Sequence, residues 1–333
     1  MNVAIVAITQ GGKKLAQELV ARLEGASLLH QAEEQKIAEL IAANWQRFDG
    51  LVCIMATGIV VRAIAPLLQG KHTDPCVIVM DERGQHAVSL LSGHLGGGNE
   101  LARKVAALTG GTPVITTASD TLHLAALDLW AKAQALVPPS RQKLTAAAAL
   151  LVNRGELRLY TDETVISLPP GLIRVDEAAQ ADIIVSASTG FAGETTIFRP
   201  RNLVIGVGCN RGTPKAEFEA ALTELLSALR LDVACIRNLA SIDKKDDEPG
   251  LLQFAAGHGW QVDFFPGEQI NTLHNLAISF AALQAVGAIG VAEPAALLSA
   301  GSNHLLSRKR KWKNVTMAIA RAAFSLSEPD PDQ

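Results

Sequence analysis

The densest group of polar side chains on an apolar background lies in the segment MDERGQHAVSLLSGHLGGGNELARKV, residues 80–105. Its second histidine, His94, can donate or accept a proton near neutral pH. The carboxylates of Asp81 and Glu100 stand near it in sequence and could orient its imidazole, and Ser92 adds a hydroxyl. These residue types favour acid–base chemistry, so His94, Glu100, Asp81 and Ser92 are the candidate catalytic residues.

Glycines surround this histidine. The stretch SGHLGGGN follows a predicted strand and precedes a predicted helix, and in an open α/β sheet ligands bind outside the carboxyl ends of the strands. Glycine lets the backbone approach a ligand closely, and a helix N-terminus offers N–H groups to an anion. A structural turn without a ligand is the alternative, and the spacing matches neither the P-loop nor the dinucleotide fingerprint. The candidate binding residues here are Gly93, Gly96, Gly97 and Asn99.

A second strand-to-helix loop introduces TGIVVRAIAPLL, residues 57–68. In the functional interpretation, Thr57, Gly58 and Arg62 face the same crevice as His94, and the arginine grips a substrate carboxylate. In the structural interpretation, Thr57 or Gly58 caps a packing helix and the arginine lies along its surface.

Two polar segments in the last third of the chain complete the candidate binding residues. GVGCNRGTP, residues 206–214, is a glycine turn onto a predicted helix and suits a carboxylate or a phosphate. ASIDKKDDEPGLLQFA, residues 240–255, places charged side chains before the next helix and could equally be a charged loop. The residues selected from these segments are Gly208, Arg211, Lys244, Lys245 and Glu248.

Two other charged segments have a simpler interpretation. KHTDP, with Lys71, His72 and Asp74, is predicted to be a solvated turn. RKRKWK, residues 308–313, is a basic patch beside Trp312, predicted to be a solvated loop before the final strand, with polyanion docking as the alternative. Nucleic acid is not an expected partner, because the formal net charge of −3 opposes it.

The order of elements predicts an α/β protein. Buried strands such as VAIVAI, FDGLVCIMA, CVIVMD and PVITT alternate with helices in the first part of the chain, which is typical of an open, mostly parallel sheet. A small α/β insert or linker domain follows, and a strand, glycine loop and helix then begin a C-terminal α/β domain. The expected domains are 1–120, 121–200 and 201–325, with a disordered tail over 326–333.

Composition excludes several classes of protein. The 333 residues are 48% hydrophobic and 19% charged, which argues against global disorder. The four cysteines form no CxxC pair and have no metal-ligand spacing with histidine, so a zinc site is not expected. No signal-peptide pattern opens the chain. The uncharged stretch 276–292 is shorter than the about 20 residues of a membrane span, and we interpret it as a buried helix and strand of a cytoplasmic protein.

Taken together, these motifs resemble one family. The pattern MATGIVVRAIAPLL…KHTDPCVIVMDERGQHAVSLLSGHLGGGNELA, followed by VIGVGCNRGTP, ASIDKKDDEPGLL, VAEPAALLSAG and NVTMAIAR, is similar to the cobalt-precorrin 5A hydrolases of anaerobic cobalamin biosynthesis. The likeness covers residues 40–120 and 200–322, whereas 121–199 are related mainly by position. The combination of the SGHxGG loop with GxGC and DEPGL in one chain makes the resemblance specific.

The resemblance implies hydrolysis of the δ-lactone on a contracted tetrapyrrole, followed by carbon–carbon cleavage that expels the bridging carbon and its methyl group as acetaldehyde. Cobalt arrives inside the substrate, so neither a metal site nor a cofactor is expected. This chemistry needs an activated water, donors for an oxyanion and a proton for the leaving alkoxide. We assign His94 as the base, or as the acid of the later cleavage, with Asp81 or Glu100 orienting it. The candidate oxyanion donors are the amides of Gly96, Gly97 and Gly98, together with Ser92.

The resemblance also implies partners. The acetate and propionate groups of the substrate call for cations, which Arg62, Arg211, Lys244 and Lys245 would supply. The expected partners are the cobalt-containing tetrapyrrole and, by transient transfer, neighbouring methyltransferases of the pathway, while the sequence leaves a homodimer open. Two other hypotheses remain. One is a non-catalytic corrinoid carrier or chaperone, and the other is a nucleotide-binding regulatory protein, for which a phosphate-binding lysine motif is missing.

Overall fold

The computed structural model describes residues 1–70, 73–191, 195–274 and 276–328, so Lys71 and His72 of the predicted KHTDP turn lie outside the described residues. The chain divides into two compact units, Met1–Leu129 and Trp130–Gln333. The second unit contains two separate five-stranded sheets, and the predicted domain boundaries at residues 120 and 200 stay a prediction. Within the described ranges, every helix is too short or too polar to span a lipid bilayer.

The first unit is an open α/β sheet with helices on both faces. Its strands are β1 Val3–Ala7, β2 Ala26–Leu28, β3 Gly50–Ile54, β4 Cys76–Met80, β5 His86–Leu91 and β6 Thr112–Val114. Its helices are α1 Gln10–Arg22, α2 Ile37–Asn44, α3 Thr57–Ile64, α4 Gly98–Thr109, α5 Ala118–Thr121 and α6 Leu127–Ala133, the last of which contains the boundary between the units. Every residue of β1, β3 and β4 is buried, as expected for strands covered on both faces. Helices α1 and α4 pack on one face, and α2 and α3 pack on the other.

The six strands have the order β2-β1-β3-β4-β5-β6. Strands β1 to β4 are parallel, β5 runs antiparallel to β4, and β6 is parallel to β5. The prediction of a mostly parallel sheet is confirmed. A short turn reverses the chain between β4 and β5, and Asp81 holds it by accepting hydrogen bonds from the amides of Arg83, Gln85 and His86 at 2.7–3.2 Å.

The second unit begins with a five-stranded sheet of order β10-β8-β11-β12-β7. In chain order its elements are β7 Leu136–Val137, α7 Arg141–Arg154, β8 Leu157–Thr161, β9 Thr164–Val165, β10 Leu172–Arg174, β11 Ile183–Val185 and β12 Thr196–Pro200. Strands β10, β8, β11 and β12 are parallel, and β7 pairs antiparallel with β12. Trp130 and Phe198 meet edge to face within this part of the core.

A second five-stranded sheet follows, with the order β15-β14-β13-β17-β16. Its elements are β13 Leu203–Cys209, α8 Lys215–Leu229, β14 Ile236–Ile242, α9 Pro249–His258, β15 Val262–Phe265, α10 Gly267–Ile270, α11 Phe280–Val286, α12 Ala292–Ala300, β16 Leu305–Lys311 and β17 Val315–Arg321. Helices α8 and α9 cover one face of this sheet and α12 covers the other. Helix α12 approaches β13 so closely that a Cβ on Gly206 would lie 1.8 Å from the carbonyl oxygen of Ala292.

Three local predictions need correction. Residues 276–292 form the exposed helix α11 and a loop instead of a buried helix and strand, since Phe280 is 77% exposed. The basic residues 308–311 belong to strand β16, because they pair with β17 as an antiparallel hairpin. Residues 326–328 are ordered: a short final strand, β18 Ser325–Leu326, pairs with β9, and Leu326 is buried. The rest of the predicted tail, 329–333, lies outside the described residues.

Three hydrogen bonds fasten Ser327 to the start of the second unit. The indole N–H of Trp130, a fully buried residue, donates to the carbonyl oxygen of Ser327 at 3.3 Å. The amide of Ser327 in turn donates to the side-chain oxygen of Gln134 at 3.1 Å, and Nε2 of Gln134 donates to the hydroxyl of Ser327 at 3.3 Å. Leu326 is therefore buried and Ser327 half-buried against this unit, whereas Glu328 is exposed.

Candidate active site

The SGHLGGGN loop lies at the edge of the sheet opposite the carboxyl ends of β1, β3 and β4. Because β5 runs antiparallel to β4, the carboxyl end of β5 lies beside the amino end of β4. The hydroxyl of Ser92 accordingly donates to the carbonyl oxygen of Asp74, just before β4 begins, at 3.2 Å. Strand β6 is parallel to β5 and ends at the same edge, which brings the residues after it towards His94.

Thr57, Gly58 and Arg62 lie at the other edge. Helix α3 begins at Thr57 directly after β3, with Ala56 as its N-cap, so neither Thr57 nor Gly58 is the cap. The guanidinium of Arg62 lies over Gly58. A cavity of about 400 Å³ opens at this edge and is lined by Thr57, Asp81 and other residues that follow β1, β3 and β4. The residues predicted to share a crevice with His94 are thus placed apart from it.

The backbone of the His94 loop is closed by its own hydrogen bonds. The amide of Gly97 donates to the carbonyl oxygen of His94 at 2.8 Å, and the amide of Gly98 donates to that of Ser92 at 3.1 Å. Gly97 and Gly98 therefore fix the loop and are not available as oxyanion donors, and the hydroxyl of Ser92 is used on Asp74. Among the residues that the structure describes, no backbone acceptor meets the amide of Gly96, and its role as an oxyanion donor stays a prediction.

His94 is surrounded by polar groups from the segment that follows β6. Its Nε2 lies 3.1 Å from Oδ2 of Asp120 and 3.2 Å from Oγ of Ser119. Its Nδ1 lies 3.8 Å from Oδ1 of Asp128. The side chain of His94 is 23% exposed, so solvent or a ligand can reach the ring. The imidazole therefore has a carboxylate on each side and a hydroxyl beside Nε2.

Asp120 is held in place by two donors from helix α4. Nδ2 of Asn99 donates to its Oδ2 at 2.9 Å, and Nη2 of Arg103 donates to its Oδ1 at 2.6 Å. Asn99 is buried, and its remaining contacts are with Thr117 and Ser89. Asn99, which we predicted to bind substrate, therefore positions Asp120. Gly93 leaves room for this side chain, since a Cβ there would lie 2.6 Å from Oδ1 of Asn99.

Neither carboxylate that we expected beside His94 is there. Asp81 lies in the turn between β4 and β5 at the other edge of the sheet, where its oxygens accept three backbone N–H groups. Burial raises the pKa of Asp81, but the hydrogen bonds from His86, Gln85 and Arg83 outweigh it and hold the pKa below its ordinary value. The exposed carboxylate of Glu100 pairs with Arg103 and Lys104, each at 3.8 Å. The carboxylates that lie beside His94 are those of Asp120 and Asp128.

Comparison with known proteins identifies the family. Two family models match the chain, Cobalamin synthesis G N-terminal over residues 39–120 and Cobalamin synthesis G C-terminus over residues 203–320. A relative from Priestia megaterium, named Cobalt-precorrin-5A hydrolase, is 32% identical over 351 residues, which span 95% of this chain and 94% of the relative. The chain belongs to the cobalamin synthesis G family. The resemblance indicated by the sequence motifs is confirmed.

Two further proteins match this chain over similar lengths. A Salmonella typhimurium relative, also named Cobalt-precorrin-5A hydrolase, is 32% identical over 345 residues, covering 96% of this chain and 98% of the relative. A solved structure of a cobalamin biosynthesis protein G homolog from Sulfolobus solfataricus covers 96% of this chain and 97% of its own, with a TM-score of 0.38 and 20% identity. The N-terminal family match includes His94, Asn99, Ser119 and Asp120, and it ends before Asp128.

The C-terminal match contains the remaining predicted binding residues. Arg211 pairs with Asp247 and donates from Nη2 to the carbonyl oxygen of Lys244 at 2.7 Å. Nζ of Lys244 donates to the carbonyl oxygen of Val286 at 3.1 Å. Both cations are thus bonded to other parts of the second unit: Arg211 to the segment before α9, and Lys244 to the end of α11. Gly208 serves close packing, since a Cβ there would lie 2.6 Å from the hydroxyl oxygen of Thr316.

Lys245 and Glu248 are buried in the same region. Lys245 is 7% exposed and Glu248 is 1% exposed. Oε1 of Glu248 accepts a hydrogen bond from the amide of Gly212 at 2.8 Å. Its Oε2 lies 3.8 Å from Nζ of Lys245 and 3.8 Å from Nη1 of Arg211, beyond hydrogen-bond distance.

Sulfur and metal chemistry find little support in the described ranges. Cys53 is buried in β3 as predicted, and burial raises its thiol pKa to about 12. Burial also raises the thiol pKa of Cys235 to about 12 and that of Cys76 to about 11. No three His, Cys, Asp or Glu side chains in these ranges are grouped to hold a metal ion. The expectation of no resident metal or cofactor stays a prediction.

Proposed function

We propose that this chain hydrolyses cobalt-precorrin-5A, opening its δ-lactone and releasing acetaldehyde to give cobalt-precorrin 5B. Membership of the cobalamin synthesis G family and the names of two relatives at 32% identity support the substrate. The observation that supports the chemistry is the placement of His94 between Asp120 and Asp128, with Ser119 beside Nε2. Cobalt belongs to the substrate in this proposal, and no cofactor is required.

The first step is ring opening by water. Nε2 of His94 donates a hydrogen bond to Oδ2 of Asp120, so the lone pair lies on Nδ1. Nδ1 accepts a proton from water while the oxygen of that water bonds to the lactone carbonyl carbon. The amide of Gly96 faces the oxygen on which negative charge develops. The bond between the carbonyl carbon and the ring oxygen then breaks, and the departing alkoxide takes the proton from His94. The products are a free carboxyl group and a hydroxyl group on the carbon that will be expelled.

The second step removes that carbon. A base takes the proton of the new hydroxyl, the oxygen forms a carbonyl, and the carbon–carbon bond to the ring breaks. Acetaldehyde leaves, and the electron pair remains on the conjugated ring, which takes up a proton. His94 serves both steps in this proposal, because each requires one proton to be removed and one to be returned close to the expelled carbon.

The neighbours of His94 act through it. Asp120 is fixed by Asn99 and Arg103, so its Oδ2 orients the imidazole without a change in its own position. Ser119 is 8% exposed and lies against Nε2, which suits a positioning role better than attack on a bulky substrate. Oδ1 of Asp128 lies 3.8 Å from Nδ1, where its negative charge stabilises the imidazolium that forms when Nδ1 takes up a proton.

The proposal includes a setting for the reaction. We place the enzyme in the cytoplasm, with the tetrapyrrole as its small-molecule partner and transient transfer of the ring to neighbouring methyltransferases of the pathway. We also propose that the enzyme forms a homodimer. These parts follow from the family resemblance.

The test is anaerobic incubation of the purified protein with cobalt-precorrin-5A, with chemical trapping of acetaldehyde. The wild-type protein should release stoichiometric aldehyde, and His94→Ala should lose turnover while still binding the ring. His86→Ala is the matched control, because His86 is an exposed histidine of the same sheet that lies beside Asp81 at the other edge. Ring binding by the wild-type protein without aldehyde would identify a corrinoid carrier instead, and full turnover by His94→Ala would remove the assigned centre.

A further inference from the structure

A cavity of about 270 Å³ opens beside β13 and β17 in the second unit. Its charged lining residues are four lysines: Lys245, Lys309, Lys311 and Lys313. Among the described residues no aspartate or glutamate lines it, and most of its other lining residues are small or apolar. Cys209 also lines the cavity, and burial raises the pKa of its thiol to about 11, so no thiolate balances the lysines.

Lys245 marks this cavity as built for an anion. Its side chain is 9% exposed, and the nearest carboxylate oxygen, Oε2 of Glu248, is 3.8 Å from Nζ. Within the described ranges Nζ has no hydrogen-bond acceptor. Oε2 of Glu248 is a buried atom without a hydrogen-bond partner. A buried ammonium group is costly unless its N–H groups are used. An anion in the cavity would supply the missing acceptors.

The surface next to the cavity is apolar. Ser279 and Ala282 line the cavity from the α11 segment, and the neighbouring Ile278, Phe280 and Leu283 are 57%, 77% and 45% exposed. Large apolar side chains exposed together commonly mark a binding surface. A ligand that uses both features must carry an anionic arm on an apolar body.

The size of the cavity limits what can enter it. Pockets that enclose a drug-sized ligand usually measure about 300–1,000 Å³, so about 270 Å³ accommodates a side arm better than a whole macrocycle. We propose that this lysine pocket binds a carboxylate arm of the tetrapyrrole, with the flat apolar ring lying on Ile278, Phe280 and Leu283. The choice of tetrapyrrole rests on the proposed function, whereas the anion specificity rests on Lys245 and its neighbours.

This assignment differs from the cations expected from sequence. Arg211 and Lys244 donate to backbone carbonyl oxygens of the second unit, while Lys245 and the lysines of the β16–β17 hairpin line a cavity. The basic patch 308–313 thereby acquires a role, because Lys309, Lys311 and Lys313 all line the same space as Lys245.

The experiment measures ring binding to the full-length protein without turnover. The probes are cobyrinic acid, a cobalt corrin with free carboxylates on its rim, and cobinamide, in which the corresponding groups are amides. Ultrafiltration followed by absorbance of the ring gives Kd. We expect Lys245→Gln to raise Kd for cobyrinic acid at least about tenfold and Lys309→Gln/Lys311→Gln to raise it several-fold. The wild-type protein should bind cobinamide much more weakly than cobyrinic acid, and added salt should weaken the difference.

Lys143→Gln is the matched control, because it removes the same charge from α7, which does not line the cavity. Thermal unfolding shows whether Lys245→Gln is folded. If it is not, the Kd of the Lys309→Gln/Lys311→Gln double variant tests the pocket independently, because those lysines lie on the exposed strand β16. Unchanged Kd in both variants, or equal binding of the two rings, would overturn the proposal. Lysine-dependent binding of inorganic pyrophosphate without binding of cobyrinic acid would overturn it in favour of a phosphate ligand.

The outcomes for the two proposals are separable. Release of acetaldehyde by the wild-type protein together with unaltered corrin binding by the lysine variants would contradict the pocket alone. Lysine-dependent binding of cobyrinic acid without acetaldehyde release from cobalt-precorrin-5A would contradict the hydrolase alone.

Discussion

Replacement of Asp120 with asparagine removes one charge from the His94 site while preserving its shape. The Asp120 carboxylate receives Arg103 at 2.6 Å and Asn99 at 2.9 Å, and it lies 3.1 Å from Nε2 of His94. If the amide oxygen of the new side chain remains with Arg103, its NH₂ group faces another NH₂ group on Asn99. That hydrogen bond is lost, and His94 loses its carboxylate partner.

The size of the effect follows from these contacts. A hydrogen bond to a charged group contributes about 1.5–3 kcal/mol, and about 1.4 kcal/mol corresponds to tenfold in rate. We therefore expect Asp120→Asn to lower kcat for acetaldehyde release about 10- to 100-fold. KM should change little, because Asp120 acts on His94 and not on the substrate. Thermal unfolding of the variant verifies that the site is still folded.

Glu100→Gln is the matched control for this experiment. Glu100 is exposed, and its ion pairs with Arg103 and Lys104 are both 3.8 Å long. Substitutions of this kind usually change stability by less than about 0.5 kcal/mol, so we expect kcat to stay within about twofold of wild type. Wild-type turnover by Asp120→Asn, or an equal loss in Glu100→Gln, would refute the assignment of Asp120 as the carboxylate that orients His94.

Three further predictions concern the loop, the serine and a buried carboxylate. Gly96→Ala should lower kcat strongly, because a Cβ at residue 96 would lie 2.6 Å from the carbonyl oxygen of Ser92. Gly70→Ala is the control and should leave kcat unchanged, because a Cβ at residue 70 would have nothing within 4 Å. Equal kcat values for the two variants would contradict this prediction. Ser119→Ala should retain more than about a tenth of wild-type turnover. A complete loss of turnover in this variant, together with a substrate adduct on Ser119 detected by intact mass in the wild-type protein, would instead identify Ser119 as the nucleophile. Burial raises the pKa of Glu163, partly opposed by Asn202 and Arg321, so its stabilisation is present at low pH and lost as pH rises through the folded value. Glu163→Gln should therefore gain in Tm relative to wild type between about pH 4 and about pH 8, and a constant difference would contradict the shift.

The elements of the first unit could be predicted because its strands are continuous apolar runs. VAIVA, GLVCI and CVIVM are buried along their whole lengths, and such continuous apolar runs are typical of central parallel strands that are covered on both faces. The direction of β5 also has a signal in the sequence. A parallel crossover needs about a dozen or more residues, and only the segment DERGQ joins β4 to β5. That short connection implies a hairpin, and the hairpin places His94 at the other edge.

The partners of His94 could not be predicted from the segment that contains it. Asp120 and Asp128 follow β6, and their position beside His94 depends on the pairing of β5 with β6. Asp81 and Glu100 are closer to His94 in sequence. However, Asp81 accepts hydrogen bonds within the turn between β4 and β5, and Glu100 lies on the exposed surface of α4, where it pairs with Lys104. The one usable signal was the polar stretch TTASD at the end of a predicted strand, which lies beyond the polar segment 80–105.

The pairing of β18 with β9 has a consequence for the order in which the chain becomes complete during synthesis. All six strands of the first sheet precede residue 129, so this unit can form while the rest of the chain is still on the ribosome. The second unit needs Leu326 and Ser327 to cover Val165 and Trp130, near its start. A chain that stalls before these residues would have a folded first unit and an incomplete second unit. In that incomplete unit Trp130 would lack its partner Ser327 and would be accessible to chaperones.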